Sequence, residues 1–307
     1  MMKFKNASKS LILCALCLLF TACGEKVRTI EILHTNDTHS QLEPLPTGKR
    51  DGDCAGYARR MGYIAQERNI NPDLLLLDAG DFSQGTPYFN FYHGRVEVDA
   101  LNRMGYDAIT LGNHEFDNGI DTLAAILQNA QFAVVSANYD VRNTPLEGIV
   151  KPYTILRRAG MKIGIFGLGV NPKGLIADKN FEPVKYLEPI PVAQEVASLL
   201  KQKQHCALVI CLSHIGTFEN DQYASDEQIA KATADIDIII GAHTHKVVTN
   251  YKVENLQGDS VFLAQMGKSG ARIGKIMVKL NKLQHIFARK FVYSKKKLLL
   301  CSRFGFN

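Results

Sequence analysis

The segment formed by residues 111–117, with the sequence LGNHEFD, constrains the fold of this chain more than any other stretch. It follows an apolar run at residues 108–111 that predicts a buried strand, and it precedes residues 119–127, whose apolar positions have helical spacing. An amide, an imidazole and two carboxylates therefore lie on a turn between a strand and a helix. Because open α/β sheets bind their ligands at the carboxyl ends of their strands, this turn is a candidate functional site.

Four other apolar runs in the chain are followed by the same kind of residue. The runs at residues 29–34, 74–77, 207–212 and 236–240 predict buried strands. A single buried histidine is often structural, but metal-binding side chains after each of five strands predict one convergent site. The candidate ligands, in chain order, are Asp37, His39, Asp81, Asn113, His214, His243 and His245.

These candidate ligands offer oxygen and nitrogen atoms, and no thiolate is among them. That mixture indicates Mn, Fe, Co, Ni or Zn in a hydrolytic centre rather than a structural zinc site. The ligands are too many for one divalent ion and about enough for two, which together can clamp a displacement at phosphorus. Asp117 lies three residues after His114, so it can orient that imidazole as an acid or an electrostatic group.

The pattern of these residues resembles the ordered motifs of the calcineurin-like metallophosphoesterase superfamily, which are D-x-H, G-D, G-N-H-[DE], a lone H and G-H-x-H. All five motifs occur here in that order, and the resemblance covers about residues 28–281. Residues 34–39 and 112–117 are similar to the longer motifs of the exported 5'-nucleotidase/UDP-sugar hydrolase branch. Ala242 replaces a usual Gly, and His245 stands where that branch often has Gln, which leaves the metal preference of the first site open.

The resemblance implies a four-layer α/β/β/α sandwich with a site for two divalent metal ions between its loops. One ion would be held by Asp37, His39, Asp81 and His245. Asp81 would bridge the two ions, and the other ion would be held by Asp81, Asn113, His214 and His243. A metal-bound hydroxide would attack phosphorus, while His114, held by Asp117, would stabilise the developing charge or protonate the leaving group. Because ligand imidazoles must be neutral, we expect metal and activity to be lost in acid.

The substrates that the resemblance implies are phosphate esters, and nucleoside 5'-monophosphates are the leading expectation. UDP-sugars, 2',3'-cyclic nucleotides and general phosphomonoesters are the enzymatic alternatives. A different class of function is an exported metal-binding lipoprotein that acts as a subunit and turns over nothing alone. His114 and Asp117 argue against that class, because a protein that only binds metal does not need them.

Residues 1–22 have the pattern of a lipoprotein signal peptide. Three lysines precede a short apolar run, and small residues lead directly to Cys23. The apolar run is too short to span a bilayer as a stable helix. We expect Cys23 to be lipidated, residues 23–27 to form a linker, and the protein to be anchored in a bacterial cell envelope, facing the periplasm or the cell surface. An ordinary secretory signal is the alternative.

The expected domain organisation is a catalytic domain at residues 28–281 followed by a basic tail at residues 282–307. The chain has no acidic residue after Asp259 and a formal net charge of +6. A solvated basic face is a simpler explanation than nucleic-acid binding, so we expect no nucleic-acid partner. Exported 5'-nucleotidases usually carry a second, C-terminal domain that binds the nucleoside. We expect that domain to be absent from this chain, and either supplied by a separate polypeptide or lost through truncation.

Overall fold

The computed structural model describes residues 28–48, 51–217 and 224–280, together with the backbone of two strands at residues 290–293 and 298–299. Its strands are, in chain order, β1 (Arg28–Thr35), β2 (Leu75–Asp78), β3 (Ala108–Thr110), β4 (Ala133–Val135), β5 (Tyr139–Asp140), β6 (Val150–Lys151), β7 (Tyr153–Arg158), β8 (Met161–Leu168), β9 (Lys185–Tyr186), β10 (Leu208–Ser213), β11 (Ile238–Gly241), β12 (Val247–Glu254), β13 (Ser260–Met266), β14 (Arg272–Leu280), β15 (Lys290–Tyr293) and β16 (Leu298–Leu299). Its helices are α1 (Tyr57–Ile70), α2 (Pro87–Tyr92), α3 (Arg95–Met104), α4 (Gly119–Leu127), α5 (Asp178–Phe181), α6 (Pro189–Ser198) and α7 (Asp226–Ala232).

Two mixed sheets contain most of these strands. The first has the order β15-β14-β1-β2-β3-β4-β6, and β16 also pairs with β14. Its strands from β1 to β6 pair in parallel, whereas β14 runs antiparallel to β1. The second sheet has the order β12-β13-β11-β10-β8-β7, with four parallel strands at its centre and an antiparallel strand at each edge. Parallel neighbours need crossover connections, which is why helices alternate with these strands along the chain.

The main core lies between the two sheets. Leu75 and Leu77 of β2 pack in one cluster with Ile210 of β10 and Ile240 of β11, and all four side chains are fully buried. Alternate residues of a strand point to opposite faces, so the other face of β2 must be covered as well. This burial on both faces explains why residues 74–77 are all leucine.

Helices cover the outer face of each sheet. Leu76 of β2 packs with Ile64 of α1 and Leu101 of α3, which places those helices on the first sheet. On the second sheet, α6 and α7 pack on β10 and β11 through a separate cluster that includes Ala193, Ile229, Val209 and Ile239. The layers therefore follow the order helix, sheet, sheet, helix, and the predicted α/β/β/α sandwich is confirmed.

Local differences from the sequence-based expectations lie at the ends of elements. Strands β7 and β8 form a hairpin around Ala159 and Gly160, a dipeptide typical of such turns, and both residues have positive φ. The apolar positions of residues 192–204 have helical spacing, and the helix there begins earlier, at Pro189, and ends in a π-helical turn, Leu199–Lys203. The polar stretch after β3 forms a 3₁₀ turn, His114–Phe116, before α4 begins.

Several predicted segments lie outside the described residues. They are the signal peptide at residues 1–22, the linker at residues 23–27 with Cys23, and most of the tail at residues 282–307. Strands β15 and β16 fall within that tail, where the sequence shows no periodic pattern, and both pair with β14. Among the helices in the described part of the chain, none is both long and apolar enough to cross a membrane.

The core between the sheets makes a prediction about stability. Ile210→Ala removes a fully buried side chain at that interface and is expected to lower the free energy of unfolding by about 2–5 kcal/mol. Leu256→Ala is the matched control, because Leu256 is 68% exposed, and it should change the free energy by less than about 0.5 kcal/mol. Urea unfolding monitored by circular dichroism measures both. Equal losses in the two variants would contradict the assigned core.

Candidate metal centre

The carboxyl ends of β1, β2, β3, β10 and β11 meet at one place, and six of the seven predicted ligands cluster there. In each of three groups of residues, the potential ligand atoms lie within 4.8 Å of one another. The groups are Asp37 with His39 and His245, His39 with Asp81 and His114, and Asp81 with His214 and His243. Because neighbouring groups share His39 or Asp81, the three form one continuous cluster. Asn113, the seventh predicted ligand, lies at the end of β3 beside His114 and is buried.

The turn that follows β2 connects the loops that carry these residues. Three consecutive carbonyl groups of that turn accept hydrogen bonds from candidate ligands, namely Ala79 O from His214 Nδ1 (2.8 Å), Gly80 O from Asp37 N (2.9 Å) and Asp81 O from His39 N (2.9 Å). The turn therefore fixes the relative positions of three strand ends. It also carries Asp81 itself, the carboxylate at the centre of the cluster.

The backbone at the cluster is unusual. Asp37, His39, Asp81, His243 and His245 all have φ between 46° and 68°. This left-handed region is uncommon for residues other than glycine, and such conformations concentrate at functional sites because the surrounding structure must enforce them. The hydrogen bonds of the Ala79–Asp81 carbonyls provide part of that enforcement for Asp37 and His39.

Two glycines allow the loops to approach closely. A Cβ atom at Gly112 would overlap Oδ1 of Asp81 and the imidazole of His214. Gly80 has a φ of +91°, and a Cβ atom there would lie 2.7 Å from the backbone nitrogen of Gly112. Glycine is therefore required at both positions by the space that the ligands occupy, and at Gly80 by the backbone conformation as well.

The two central carboxylates are buried but held in different environments. Asp37 accepts hydrogen bonds from Asn36 Nδ2 (2.5 Å) and from His243 N (3.0 Å), yet burial raises its pKa to about 7. Burial also raises the pKa of Asp81, but the neighbouring imidazoles, above all His214 at 3.0 Å, outweigh it and hold the pKa well below its ordinary range. The cluster thus concentrates negative charge that needs positive charge beside it.

The imidazoles and the remaining polar atoms fit a divalent cation. Burial lowers the pKa of His39 and of His243 to about 4, which keeps both rings in the neutral form that binds metal. His214 donates its Nδ1 hydrogen to a carbonyl, so its Nε2 is left facing Asp81, without hydrogen-bond geometry. Asn113 Oδ1 is buried and has no hydrogen-bond partner in the described part of the chain. Oxygen and nitrogen atoms arranged in this way form a suitable donor set for a transition metal.

His114 and Asp117 stand beside the candidate ligands and form a pair. His114 Nδ1 lies 2.9 Å from Asp117 Oδ2, and both side chains are about one-third exposed. The hydrogen bond to Asp117 raises the pKa of His114 above its ordinary value, although burial acts in the opposite direction. Asn180 donates a hydrogen bond to the backbone carbonyl of Asp117 (2.8 Å) and so stabilises the turn that carries the pair. The side chains of this pair are partly exposed to solvent, whereas those of Asp37 and Asp81 are buried.

Sequence reasoning assigned no role to Glu115, although it lies within the GNHE motif. Its carboxylate accepts hydrogen bonds from three backbone groups, Gly112 N (2.6 Å), Asp81 N (2.9 Å) and Ser83 N (3.0 Å). Asn36 was missed as well, and it links Asp37 to Met266 N and to Gly267 O. The sequence signals for these residues are the place of Glu115 in the GNHE motif and the place of Asn36 next to Asp37.

Comparison with known proteins agrees with this geometry. The family described as Calcineurin-like phosphoesterase matches residues 30–247. The chain belongs to this family. Calcineurin-like phosphoesterases use a dimetal centre, and the three groups of residues above are its candidate ligands here.

Individual members of the family are similar over most of this chain. A snake venom 5'-nucleotidase from Gloydius brevicauda is 37% identical over 229 residues, which is 70% of this chain and 37% of that protein. The crystal structure of a 5'-nucleotidase precursor from Thermus thermophilus superposes with a TM-score of 0.75 at 31% identity, over 89% of this chain and 55% of that one. The calcineurin-like phosphoesterase YfkN from Bacillus subtilis gives a TM-score of 0.69 at 25% identity, over 87% and 89% of the two chains. This phosphoesterase thus spans little more than a third of the length of the snake venom relative.

The packing at Gly112 predicts how metal binding in this phosphoesterase can be removed. Gly112→Ala would place a methyl group on Asp81 Oδ1 and on the His214 ring, so we expect it to displace Asp81 and to abolish stoichiometric binding of divalent metal. Elemental analysis of the purified protein, after dialysis against manganese, measures this. Gly62→Ala is the control, because a Cβ atom at this position in α1 has no neighbour within 4 Å, and it should retain metal and gain up to about 1 kcal/mol of stability. Full metal content in Gly112→Ala would contradict the assignment of Asp81.

Proposed function

We propose that this chain is a metal-dependent phosphoric ester hydrolase that acts most readily on nucleoside 5'-monophosphates. The observation that carries the proposal is the pairing of an accessible histidine and aspartate, His114 and Asp117, with a buried cluster of carboxylates and imidazoles. Relatives that are named 5'-nucleotidases, and that share 30% identity or more, support the choice of substrate.

In this proposal the cluster holds two divalent ions. Asp81 would be a ligand of both, because it belongs both to the group that contains His39 and to the group that contains His214. The remaining ligands of the first ion are Asp37, His39 and His245, and those of the second are Asn113, His214 and His243. The donor set suits Mn, Fe, Co, Ni or Zn. When bound, two such ions would supply positive charge to a phosphate group and would act as Lewis acids.

The other residues of the site orient groups and move protons. His114 Nδ1 is hydrogen-bonded to Asp117. Its Nε2 is therefore the nitrogen that can donate to a phosphoryl oxygen or to the departing alkoxide. The raised pKa of His114 increases the fraction of the ring that is protonated at neutral pH. Glu115 touches no substrate in this scheme, because its carboxylate is buried and occupied by backbone N–H groups that fix the loops of Asp81 and Gly112.

Substrate choice and location remain part of the proposal. UDP-sugars and 2',3'-cyclic nucleotides are the alternative substrates, and a subunit that binds metal but needs a separate nucleotide-binding polypeptide for turnover is the alternative function. We propose further that residues 1–22 direct export and that Cys23 carries the lipid anchor in a bacterial envelope. Labelled palmitate should enter the wild-type protein in the native host but not Cys23→Ser, and equal labelling would refute the anchor.

The enzymatic proposal is tested by turnover. Residues 24–307, loaded with Mn²⁺, should hydrolyse AMP faster than UDP-glucose or p-nitrophenyl phosphate, as measured by chromatographic separation of substrates and products. His114→Ala should lower kcat by about 10²–10⁴-fold, the usual effect of removing a general acid, without loss of bound metal. His205→Ala is the control, since His205 is an exposed histidine that precedes β10, at the opposite end of the strand from His214. Phosphate release that is independent of metal or of His114 would contradict the mechanism, and metal binding without turnover would favour the subunit.

A further inference from the structure

The turn that carries Asp81 is fixed by a buried aspartate, Asp78, at the end of β2. Asp78 is fully buried, and its Oδ1 accepts a hydrogen bond from Gly80 N at 2.9 Å. Its Oδ2 accepts a hydrogen bond from Thr35 Oγ1 at 2.5 Å. The first of these bonds closes the turn whose carbonyl groups hold the three strand ends together. The conformation of the turn therefore depends on a carboxylate that has no access to water.

A second hydroxyl extends this contact away from the metal centre. Tyr106 OH lies 2.7 Å from Thr35 Oγ1 and is itself buried. The single hydroxyl hydrogen of Thr35 is used toward Asp78, which as a carboxylate can only accept. Tyr106 must therefore donate to Thr35, and its own oxygen is left with lone pairs that face a donor or a positive charge.

Arg60 of α1 is the positive charge at that end. Its side chain is fully buried, on the same face of the helix as Tyr57 and Ile64. The guanidinium carbon lies 4.7 Å from the centre of the Tyr57 ring, and the group also lies against Gly270, where a side chain would overlap the guanidinium nitrogens. Across the described residues, Nε, Nη1 and Nη2 have no partner in full hydrogen-bond geometry, although the guanidinium lies close enough to Tyr106 to interact with its hydroxyl group. A buried cation in this state needs a counter-charge.

The charge of Arg60 acts on the groups that lead to Asp78. Burial raises the pKa of Tyr106 to about 12, and the positive charge of Arg60 opposes that rise. Burial likewise raises the pKa of Asp78, and the hydrogen bonds to its carboxylate, followed by the charge of Arg60, oppose it. Both effects place Arg60 in the same low-dielectric region as Asp78, where charges act over longer distances than in water.

We infer that Arg60 is a positioning residue, the buried counter-charge of Asp78. The hydroxyl groups of Tyr106 and Thr35 lie between the two charges. Tyr106 donates to Thr35 and Thr35 donates to Asp78, so both hydrogen bonds point toward the carboxylate. By holding Asp78 as a carboxylate, Arg60 fixes the turn that presents Asp81 and receives the backbone hydrogen bond of Asp37. The consequence for metal affinity rests on the proposed function, but the consequence for the turn does not.

The experiment is a double-mutant cycle with two measurements. Arg60→Met removes the charge and retains an unbranched apolar chain, Asp78→Asn removes the opposite charge and keeps the hydrogen-bond acceptor, and a third protein carries both changes. Hydrogen exchange measures the amides of Asp37, His39 and Gly80 in metal-free protein. Competition with a chromophoric chelator measures affinity for Mn²⁺.

We expect Arg60→Met to increase the exchange rates of these amides about tenfold and to raise the Kd for Mn²⁺ about tenfold. Effects of this size are found for coupled members of one network. Adding Asp78→Asn should restore most of both losses, because the neutral amide no longer needs a counter-charge. Thr35→Val interrupts the connection and leaves both charges in place, so it should shift exchange in the same direction even if Arg60→Met does not fold.

Lys201→Met is the matched control. It breaks another partly buried ion pair, between Lys201 Nζ and Asp237 Oδ2 at 2.9 Å, which lies near the starts of β10 and β11, whereas His214 and His243 follow the ends of these strands. It should lower the melting temperature without a specific change in exchange at the turn. If Arg60→Met behaves like this control, or if the effects of Arg60→Met and Asp78→Asn simply add, the inference is wrong. The exchange data decide this even if the parent protein binds no metal, which would overturn only the proposed function.

Discussion

Two buried carboxylates, Asp37 and Asp81, lie among imidazoles at the meeting point of five strand ends, and charges crowded in this way are stable only when they are balanced. Part of the balance comes from the protein. Backbone N–H groups of His243 and His114 donate to the two carboxylates, and His214 lies beside Asp81. The rest of the balance must come from cations, which explains why so many neutral nitrogen donors face the same space.

The fold makes this crowding possible because it delivers rigid segments to one point. Strands of the two sheets are locked by a core in which Leu77 and Ile210 are fully buried, so their carboxyl ends cannot drift apart. The loops at those ends are closely packed, because a side chain at Gly80 or Gly112 would collide with neighbouring atoms. Residues that lie just after the end of a buried strand are held more rigidly than residues on long loops. The strained backbone of Asp37 and Asp81 is tolerated for the same reason.

Apolar runs were sufficient to predict the main strands, and the chelating side chains that follow them were sufficient to predict the residues that meet. The layers, in contrast, were implied by the resemblance to a known family. The sequence could not show that Glu115 binds backbone groups rather than metal, since a carboxylate beside His114 has the same appearance in either role. The burial of Arg60 could not be predicted for a related reason. Its neighbour Arg59 forms an ordinary ion pair with Asp53, and no pattern distinguishes two adjacent arginines of which one is buried. Hydrogen-bond direction and burial depend on tertiary contacts that local periodicity does not contain.

We propose that Asp81 is a ligand of both ions, because it lies in the group with His39 and in the group with His214. Anomalous X-ray diffraction from crystals of the manganese-loaded protein, collected on both sides of the manganese absorption edge, tests it directly. A bridging Asp81 predicts two anomalous peaks, with oxygen atoms of Asp81 coordinating both. A single peak, or two peaks of which only one contacts Asp81, would contradict it.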